Sequence, residues 1–539
     1  MGKNHTQPIY TMQKILLNGT WTESTNTAGS FHAFNPSNKE ELTERAFPTS
    51  DWQELEALVD AGHAAAEGLA DIPAATVADF LETYAAKIEA STDKLAEIAN
   101  LETGLPLTPR LAGVEIPRTV NQIRQAAAAA RAGDWARPTI DTATNIRSMH
   151  GALGGPVIVF GPNNFPFAYN GIAGGDFASA IAAGNPVIAK AHPAHPYTTQ
   201  LLAELAQAAA EEHQLPAGTV QLFYNTPPEL GLNLVAHPKV AAIAFTGSRP
   251  GGLALKAAAD KAGKPIYLEM SSVNPVFIMP GALQERGADI ATELHGSCTL
   301  GAGQFCTKPG LVVVQKSPQS DELLASLTQN FASSPAGILL TAGGVEAVSK
   351  SVTQLAAAGA QILAGGNIAD TPHYGYQPTL LSVSGDAFLA KPDKLQSEAF
   401  GAVCLVVVAN DFEQALAIAS LLEGNLTGSI YSDTAGSDDA NYPTLAKQLR
   451  VKVGRLLNDK VPTGVAVCPA MNHGGPYPST GHPGFTAVGF PASVVRFSAL
   501  HSYDNVRHDR LPITLQDKNP TGKLLRLVDN NYTTADAQT

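Results

Sequence analysis

The stretch PVIVFGPNNFPFAYNGIAGGDFASAIAAGNPVIAKAHPAHPYTTQLLAELAQAAAEEH, residues 156–213, decides the fold. Two short apolar runs, PVIVF at 156–160 and NPVIAK at 185–190, alternate with the Ala-rich DFASAIAAG at 176–184 and the helix-like TTQLLAELAQAAAEEH at 198–213. Apolar runs without polar alternation suit strands covered on both faces, and their alternation with helices predicts a parallel α/β sheet. A second round follows in VQLFY at 220–224, VAAIAF at 240–245, the helical GLALKAAADKAG at 252–263, and PIYLEM running into PVFIM at 265–279. Two such rounds are a nucleotide-binding architecture by default.

The pattern continues through CTLGAGQFCTKPGLVVV at 298–314, ILL at 338–340, AQILAGG at 360–366 and AVCLVVV at 402–408, with helical segments between them. A second α/β lobe is therefore expected over 276–470, beside a first lobe built from 1–135 and 156–275. The strand-like TNIRSMHGALGG at 144–155 predicts a third, bridging element from 136–155 and 485–539. NHGGPYPSTGHPGFTAVGFP at 472–491 reads as ordered loop, and the final NNYTTADAQT at 530–539 as frayed or loosely docked.

A chain of 539 residues, 44% hydrophobic and 15% charged, has enough apolar content for two or three packed lobes. Forty-eight acidic against 35 basic side chains give a net charge of −13, which argues against nucleic acid and anionic membrane surfaces as partners. The four cysteines, Cys298, Cys306, Cys404 and Cys468, show neither CxxC spacing nor a paired framework, so free thiols in a reducing compartment are expected and no zinc site is suggested. No stretch approaches the roughly 18–20 continuous apolar residues of a membrane span, nor does the first segment resemble a signal peptide. A cytoplasmic protein without metal is the expectation.

Four local features carry chemistry. FTGSRPGGLALKAAADKAG runs from a strand through a Gly-rich turn, with Gly247 and Gly252 five positions apart, into a helix; such a turn can set backbone N–H groups against a phosphate. Leu253 stands where a P-loop would have its Lys, and GxGxxG is absent, so taken alone it is more often only a tight turn. In GAGQFCTKPG, glycines before Cys306 let the backbone approach closely and leave the sulfur accessible, though a lone Cys is more often a buried apolar residue. In LEMSSVNPVF, Glu269 ends an apolar strand, where α/β lobes bind ligands. In GPNNFPFAYN, the Asn163 and Asn164 amides lie on a loop after a strand, where an Asn can donate to an oxyanion or simply make a turn.

Taken in order, Asn164 in PNNFP, Lys190 in NPVIAKAHP, FTGS at 245–248, Glu269, Cys306 37 residues later and Glu398 in SEAFGAV 92 beyond that resemble the aldehyde dehydrogenase superfamily over nearly the whole chain. The resemblance implies two doubly wound, Rossmann-like parallel-sheet lobes plus a β oligomerisation element, and a homodimer or homotetramer. It implies Cys306 as nucleophile, Asn164 with the Cys306 N–H as oxyanion hole, and Glu269 as general base. It implies Lys190 on the adenosine ribose, Gly247, Ser248 and Gly252 at the pyrophosphate, and Glu398 with Phe400 at the nicotinamide ribose of NAD or NADP. Three segments depart from the family's common pattern: Asn163 replaces Trp, Met270-Ser271-Ser272 replaces Leu-Gly-Gly, and Ala402 replaces Pro, which puts the placing of Glu398 in question. Pro193 stands where NAD-preferring members often carry Glu, so a 2′-phosphate meets no repulsion there and NADP is slightly favoured, with Arg249 or His192 available to pair with it.

Within the superfamily, VIAKAHPAHP, EMSSVNPVF, GAGQFCTKPG and the late HGGPYPST resemble the α-ketoglutaric semialdehyde (2,5-dioxopentanoate) dehydrogenase branch, which is similar to NADP-dependent fatty-aldehyde dehydrogenases. The first implies an α-keto acid aldehyde as substrate; the second, the alternative, an aliphatic one. An α-keto acid asks for a cationic anchor, and the helical EIPRTVNQIRQ offers Arg118, Gln122 and Arg124 with Asn121 beside them, unless these only solvate the helix. Two readings from other classes compete. A thiol hydrolase pairing Cys306 with a His such as His473 lacks its local signatures and leaves Glu269 idle, and a non-catalytic relative leaves the retention of Asn164, Glu269 and Cys306 together unexplained.

Overall fold

The computed structural model describes residues 10–25 and 27–537. Three larger sheets organise it. The first has the spatial order Ile266–Glu269, Ala242–Thr246, Val157–Phe160, Val187–Lys190, Val220–Phe223, with the hairpin Ile15–Leu17 and Thr20–Thr22 added antiparallel at one edge. The five strands from Ile266–Glu269 to Val220–Phe223 are parallel. Val157–Phe160 is buried along its whole length, as a strand between two helical layers must be. Successive strands run outward from it in one direction and then in the other, so a crevice opens at the carboxyl ends of Val157–Phe160 and Ala242–Thr246.

The second sheet is ordered Gln361–Ala364, Thr379–Ser384, Val403–Ala409, Leu311–Gln315, Val276–Ile278, Asn425–Tyr431, Val453–Asn458, and only its first strand is antiparallel. Helices on both faces cover it, with Pro280–Thr299 and Pro318–Ser333 packed together on one of them. Two helix starts have a clear local cause. Ser317 closes a reciprocal cap with Ser320, and Ser248 caps Arg249–Lys261, whose first turn carries Pro250.

The third sheet joins Ser498–Asp504, Ile146–Ala152, Thr139–Asp141, Arg526–Val528 and Asn531–Thr533. Residues past 500 fold back onto it: Leu511, Leu515 and Ala537 cluster with Ile140, and the fully buried Arg526 donates to the Gln516, Asp517 and Ala535 carbonyls. The expected fraying of 530–539 is therefore corrected over its described part, because Asn531–Thr533 pairs with Arg526–Val528 and the Ala537 N–H reaches the Asp517 carbonyl at 2.8 Å. Residues 538 and 539 lie outside the described residues. No described helix is long and apolar enough to cross a membrane.

Candidate active site

Adjacent strand ends bring the sequence-predicted residues of the first lobe to one rim. Thr246 pairs with Glu269, and Phe160 with both Lys190 and Phe245, so the loops that follow these strands leave from the same edge. Asn164 sits on the loop after Phe160, where its Nδ2 donates to the Gln304 carbonyl at 2.9 Å, two residues before Cys306. Arg110 holds that loop: it donates to the Asn164 carbonyl at 3.1 Å, forms an ion pair with the buried Glu115, and lies 4.5 Å over the Phe165 ring and 5.5 Å over that of Phe305. Glu115 in turn accepts from the Phe167 and Ala168 N–H groups. Neither Arg110 nor Glu115 lies in a periodic pattern that marks it in the sequence.

Cys306 follows a turn in which Gly301, Ala302 and Gly303 all take positive φ, an uncommon conformation for Ala. Gly303 cannot be replaced without movement, since a Cβ there falls 2.2 Å from the Gly401 carbonyl carbon. That contact fastens the Cys306 turn to the Ser397–Ala402 loop bearing Glu398. The Cys306 carbonyl accepts from Asn274 Nδ2 at 2.8 Å, while its own N–H has no acceptor among the described residues.

Two groups, His473 and Glu269, stand beside the sulfur. His473 Nε2 lies 3.3 Å from Cys306 Sγ and 3.3 Å from Glu269 Oε1, and both His473 and Glu269 are 2% exposed. Glu269 Oε2 is buried without a partner. Burial, then the Glu269 carboxylate, push the Cys306 thiol well above its ordinary range. His473 enters from the 472–491 loop; its N–H donates to Thr486 Oγ1 and its carbonyl accepts from the Ala487 N–H. In the sequence it belonged only to the hydrolase reading, yet it touches the carboxylate that reading left idle.

The three helix residues part company. Arg118 faces the site: its Nε donates to Gln122 Oε1, Nη1 to the Val465 carbonyl and Nη2 to the Tyr169 hydroxyl, and the Tyr169 ring packs against His473. Gln122 is fully buried and donates to the Ala168 carbonyl, so it orients Arg118. Arg124 lies on the exposed side, bonded to Glu89 at 2.7 Å. A further cation escaped the sequence reading. Arg455 donates to the Pro462 and Gly464 carbonyls, so it and Arg118 hold one loop between them.

A dinucleotide fits the rim. Gly247 and Ser248 are exposed at the helix start, and a Cβ on Gly252 falls 2.9 Å from Met270 Sδ, so the turn stays open only without one. Among the described residues the Lys190 ammonium donates only to the Ala191 carbonyl, and burial lowers its pKa to about 8. Glu398 lines a small cavity between the lobes with Ser271, Arg249 and Glu423; burial pushes it up to about 7, against the pull of Lys308 and a Ser271 hydrogen bond. Phe400, two residues on, is partly exposed. Neither cation foreseen for a 2′-phosphate is free: Arg249 is paired with Glu423, and burial pushes His192 well below its usual range, which keeps it neutral.

A family model described as the aldehyde dehydrogenase family matches residues 21–475. The chain is 40% identical to alpha-ketoglutaric semialdehyde dehydrogenase 2 of Azospirillum brasilense over 92% of this chain and 95% of that one. It is 38% identical to alpha-ketoglutaric semialdehyde dehydrogenase of Acinetobacter baylyi over 85% and 87%. Among solved structures, lactaldehyde dehydrogenase from Escherichia coli superimposes with a TM-score of 0.79 at 24% identity, covering 92% of this chain and 99% of the other, which shows a shared fold.

Proposed function

The chain belongs to the aldehyde dehydrogenase family, whose members use NAD or NADP, and from that premise we propose that it oxidises 2,5-dioxopentanoate to 2-oxoglutarate, with NADP slightly favoured. The observation that carries the substrate is Arg118: a guanidinium whose charge is felt at Cys306, aimed by Gln122 and Tyr169, with no ion-pair partner among the described residues. A carboxylate at the far end of a short aldehyde is the natural counter-ion. The names of the two relatives at 40% and 38% identity support the same substrate. The absence of a carboxylate at Pro193 supports NADP, and we place the enzyme in the cytoplasm as a homodimer or homotetramer.

The chemistry follows from the trio. The thiol is held protonated at rest, so its proton must leave as the sulfur attacks; His473 Nε2 at 3.3 Å takes it. The C–S bond forms, the carbonyl π pair moves to oxygen, and that oxyanion accepts from the second Asn164 amide hydrogen and the Cys306 N–H, donors each worth about 3 kcal/mol in acyl transfer. When bound, NAD(P)+ supplies the acceptor for the hydride that leaves the tetrahedral carbon, and a thioester remains on Cys306. Glu269 Oε2, buried and unpartnered, then accepts a proton from water as the water oxygen attacks the thioester carbon. The C–S bond breaks, the acid departs and the sulfur recovers its proton from His473.

The test is kcat/KM with 2,5-dioxopentanoate, succinic semialdehyde, and short and long aliphatic aldehydes, each with NAD+ and NADP+, beside Cys306→Ala. A clear preference for 2,5-dioxopentanoate with Cys306→Ala inactive is expected. Preference for long aliphatic aldehydes would sink the keto-acid reading.

A further inference from the structure

We propose that Cys306, His473 and Glu269 form a tridentate site for Zn2+ or another soft divalent cation, and that such an ion reversibly blocks the enzyme in competition with the aldehyde. The inference rests on the reading of Cys306 as the nucleophile. One ligand atom from each of the three residues lies within 4.8 Å of the other two. The Nε2–Sγ and Nε2–Oε1 separations are both 3.3 Å. Zinc bonds of about 2.0–2.1 Å to N and O and about 2.3 Å to S, set at tetrahedral angles, give ligand-to-ligand edges of roughly 3.3 Å for N to O and 3.6 Å for N to S. The two His473 edges therefore match a tetrahedral ion to within a few tenths of an ångström, and the Cys306–Glu269 edge, at most 4.8 Å, closes by rotation of the Glu269 side chain.

The donor set selects the cation. Thiolate and imidazole are poor ligands for Ca2+ or Mg2+, which ask for six or more oxygens, and good ones for Zn2+, Co2+ and Cd2+. Charge agrees: one thiolate and one carboxylate neutralise a divalent ion, so the ion with its ligands adds no net charge beside the Arg118 guanidinium. The unpartnered Glu269 Oε2, on a side chain 98% buried, leaves the carboxylate free to turn either oxygen towards the ion. Each donor comes from a pinned segment: Glu269 from a strand end, Cys306 from a turn fixed by Asn274, His473 from a loop anchored through Thr486. Three protein ligands with a fourth position open is the composition of an accessible zinc centre, and because Cys306 is itself the proposed nucleophile, an ion on its sulfur excludes the aldehyde. On binding, the Cys306 S–H bond breaks, a metal–sulfur bond forms and the proton is released to solvent; no electron is transferred.

The full-length protein, freed of metal with a chelator and exchanged into buffer, is titrated with Co2+ while the near-ultraviolet thiolate-to-cobalt charge-transfer absorption is recorded. One equivalent should saturate the band, and Zn2+ should displace it. Cys306→Ser should abolish the band, His473→Asn and Glu269→Gln should each weaken Co2+ binding at least ten-fold, and Cys468→Ser should leave it intact. In parallel, Zn2+ should raise the apparent KM for aldehyde without lowering kcat, and chelator should restore the original value. No band in the wild-type protein, or a band that survives in Cys306→Ser, overturns the proposal. A band with the expected variant pattern in a protein that oxidises no aldehyde leaves the metal site standing and removes the catalytic reading instead.

Discussion

Arg249, in the first turn of the helix that opens the coenzyme crevice, is bonded through both of its terminal nitrogens to Glu423 of the other lobe, at 2.7 and 3.3 Å. Both side chains are about one-third exposed, at 33% and 34%, so the pair contributes on the order of 1 kcal/mol or less. Its consequence is for coenzyme choice. Because the guanidinium is engaged, Arg249→Ala should change the ratio of kcat/KM for NADP+ to that for NAD+ by less than about two-fold. A collapse of NADP+ use in that variant would show that Arg249 leaves Glu423 for the 2′-phosphate.

His473→Asn removes the group proposed to receive the thiol proton while keeping a polar side chain in place. A proton-transfer residue is typically worth ~10²–10⁴ in rate. The expected result is a fall of that order in kcat, with alkylation of Cys306 by iodoacetamide slowed in parallel. Full activity in His473→Asn would return His473 to a packing role beside Tyr169.

The proposed ribose contact asks Glu398 to accept through both oxygens, which it can do only when ionised, and burial pushes its carboxyl up to about 7. Its folded value lies above the ordinary carboxylate range, so the fold disfavours the anion. This group therefore costs stability as pH rises from about 4.5 to 7 and adds no further cost above that. For coenzyme the sign is opposite: KM for NADP+ should rise as pH falls below about 7, and Glu398→Gln should flatten that dependence while raising KM throughout. Steady-state kinetics from pH 6 to 9 on both proteins checks it.

Gly303→Ala forces a Cβ to 2.2 Å from the Gly401 carbonyl carbon at a φ of +73°. Both the clash and the backbone conformation penalise the variant, by about 1–3 kcal/mol for the conformation alone. A lower chemical-denaturation midpoint is expected, together with loss of activity, since Cys306 and the Glu398 loop meet at this contact. Wild-type values for both would remove the contact as a constraint.

Arg118 and Arg124 give opposite expectations. Arg118→Met should raise KM for 2,5-dioxopentanoate about 10- to 100-fold and leave propanal nearly unaffected, the magnitude expected for losing a charged hydrogen bond. Arg124→Ala should change neither, because its guanidinium is on the surface with Glu89 and Glu82.

Much of this was legible in the sequence because parallel strands and their ends are local features. Runs such as PVIVF and VAAIAF mark buried strands, and Asn164, Ser248 and Glu269 follow them within a few residues. Arg118 and Gln122 share a helix face through their spacing of four, whereas Arg124, six positions from Arg118, is rotated well off that face. His473 escaped the dehydrogenase reading for a different reason. It is 167 residues from Cys306 on a Gly- and Pro-rich loop with no periodicity, so nothing local announces where its ring points. Arg110 and Arg455 act on backbone carbonyls of distant loops, and such contacts leave no pattern in composition or spacing.

The third sheet sets a timetable for synthesis. Thr139–Asp141 has Ile146–Ala152 on one side and Arg526–Val528 on the other, so one of its partners is made almost 400 residues after it. Until residue 533 has left the ribosome, the nascent polypeptide carries an unpaired strand edge that can recruit another chain. A stop codon in the last few dozen positions would thus leave every residue around Cys306 encoded and still yield a sticky, poorly released product, detectable as insoluble protein in a series of C-terminal truncations.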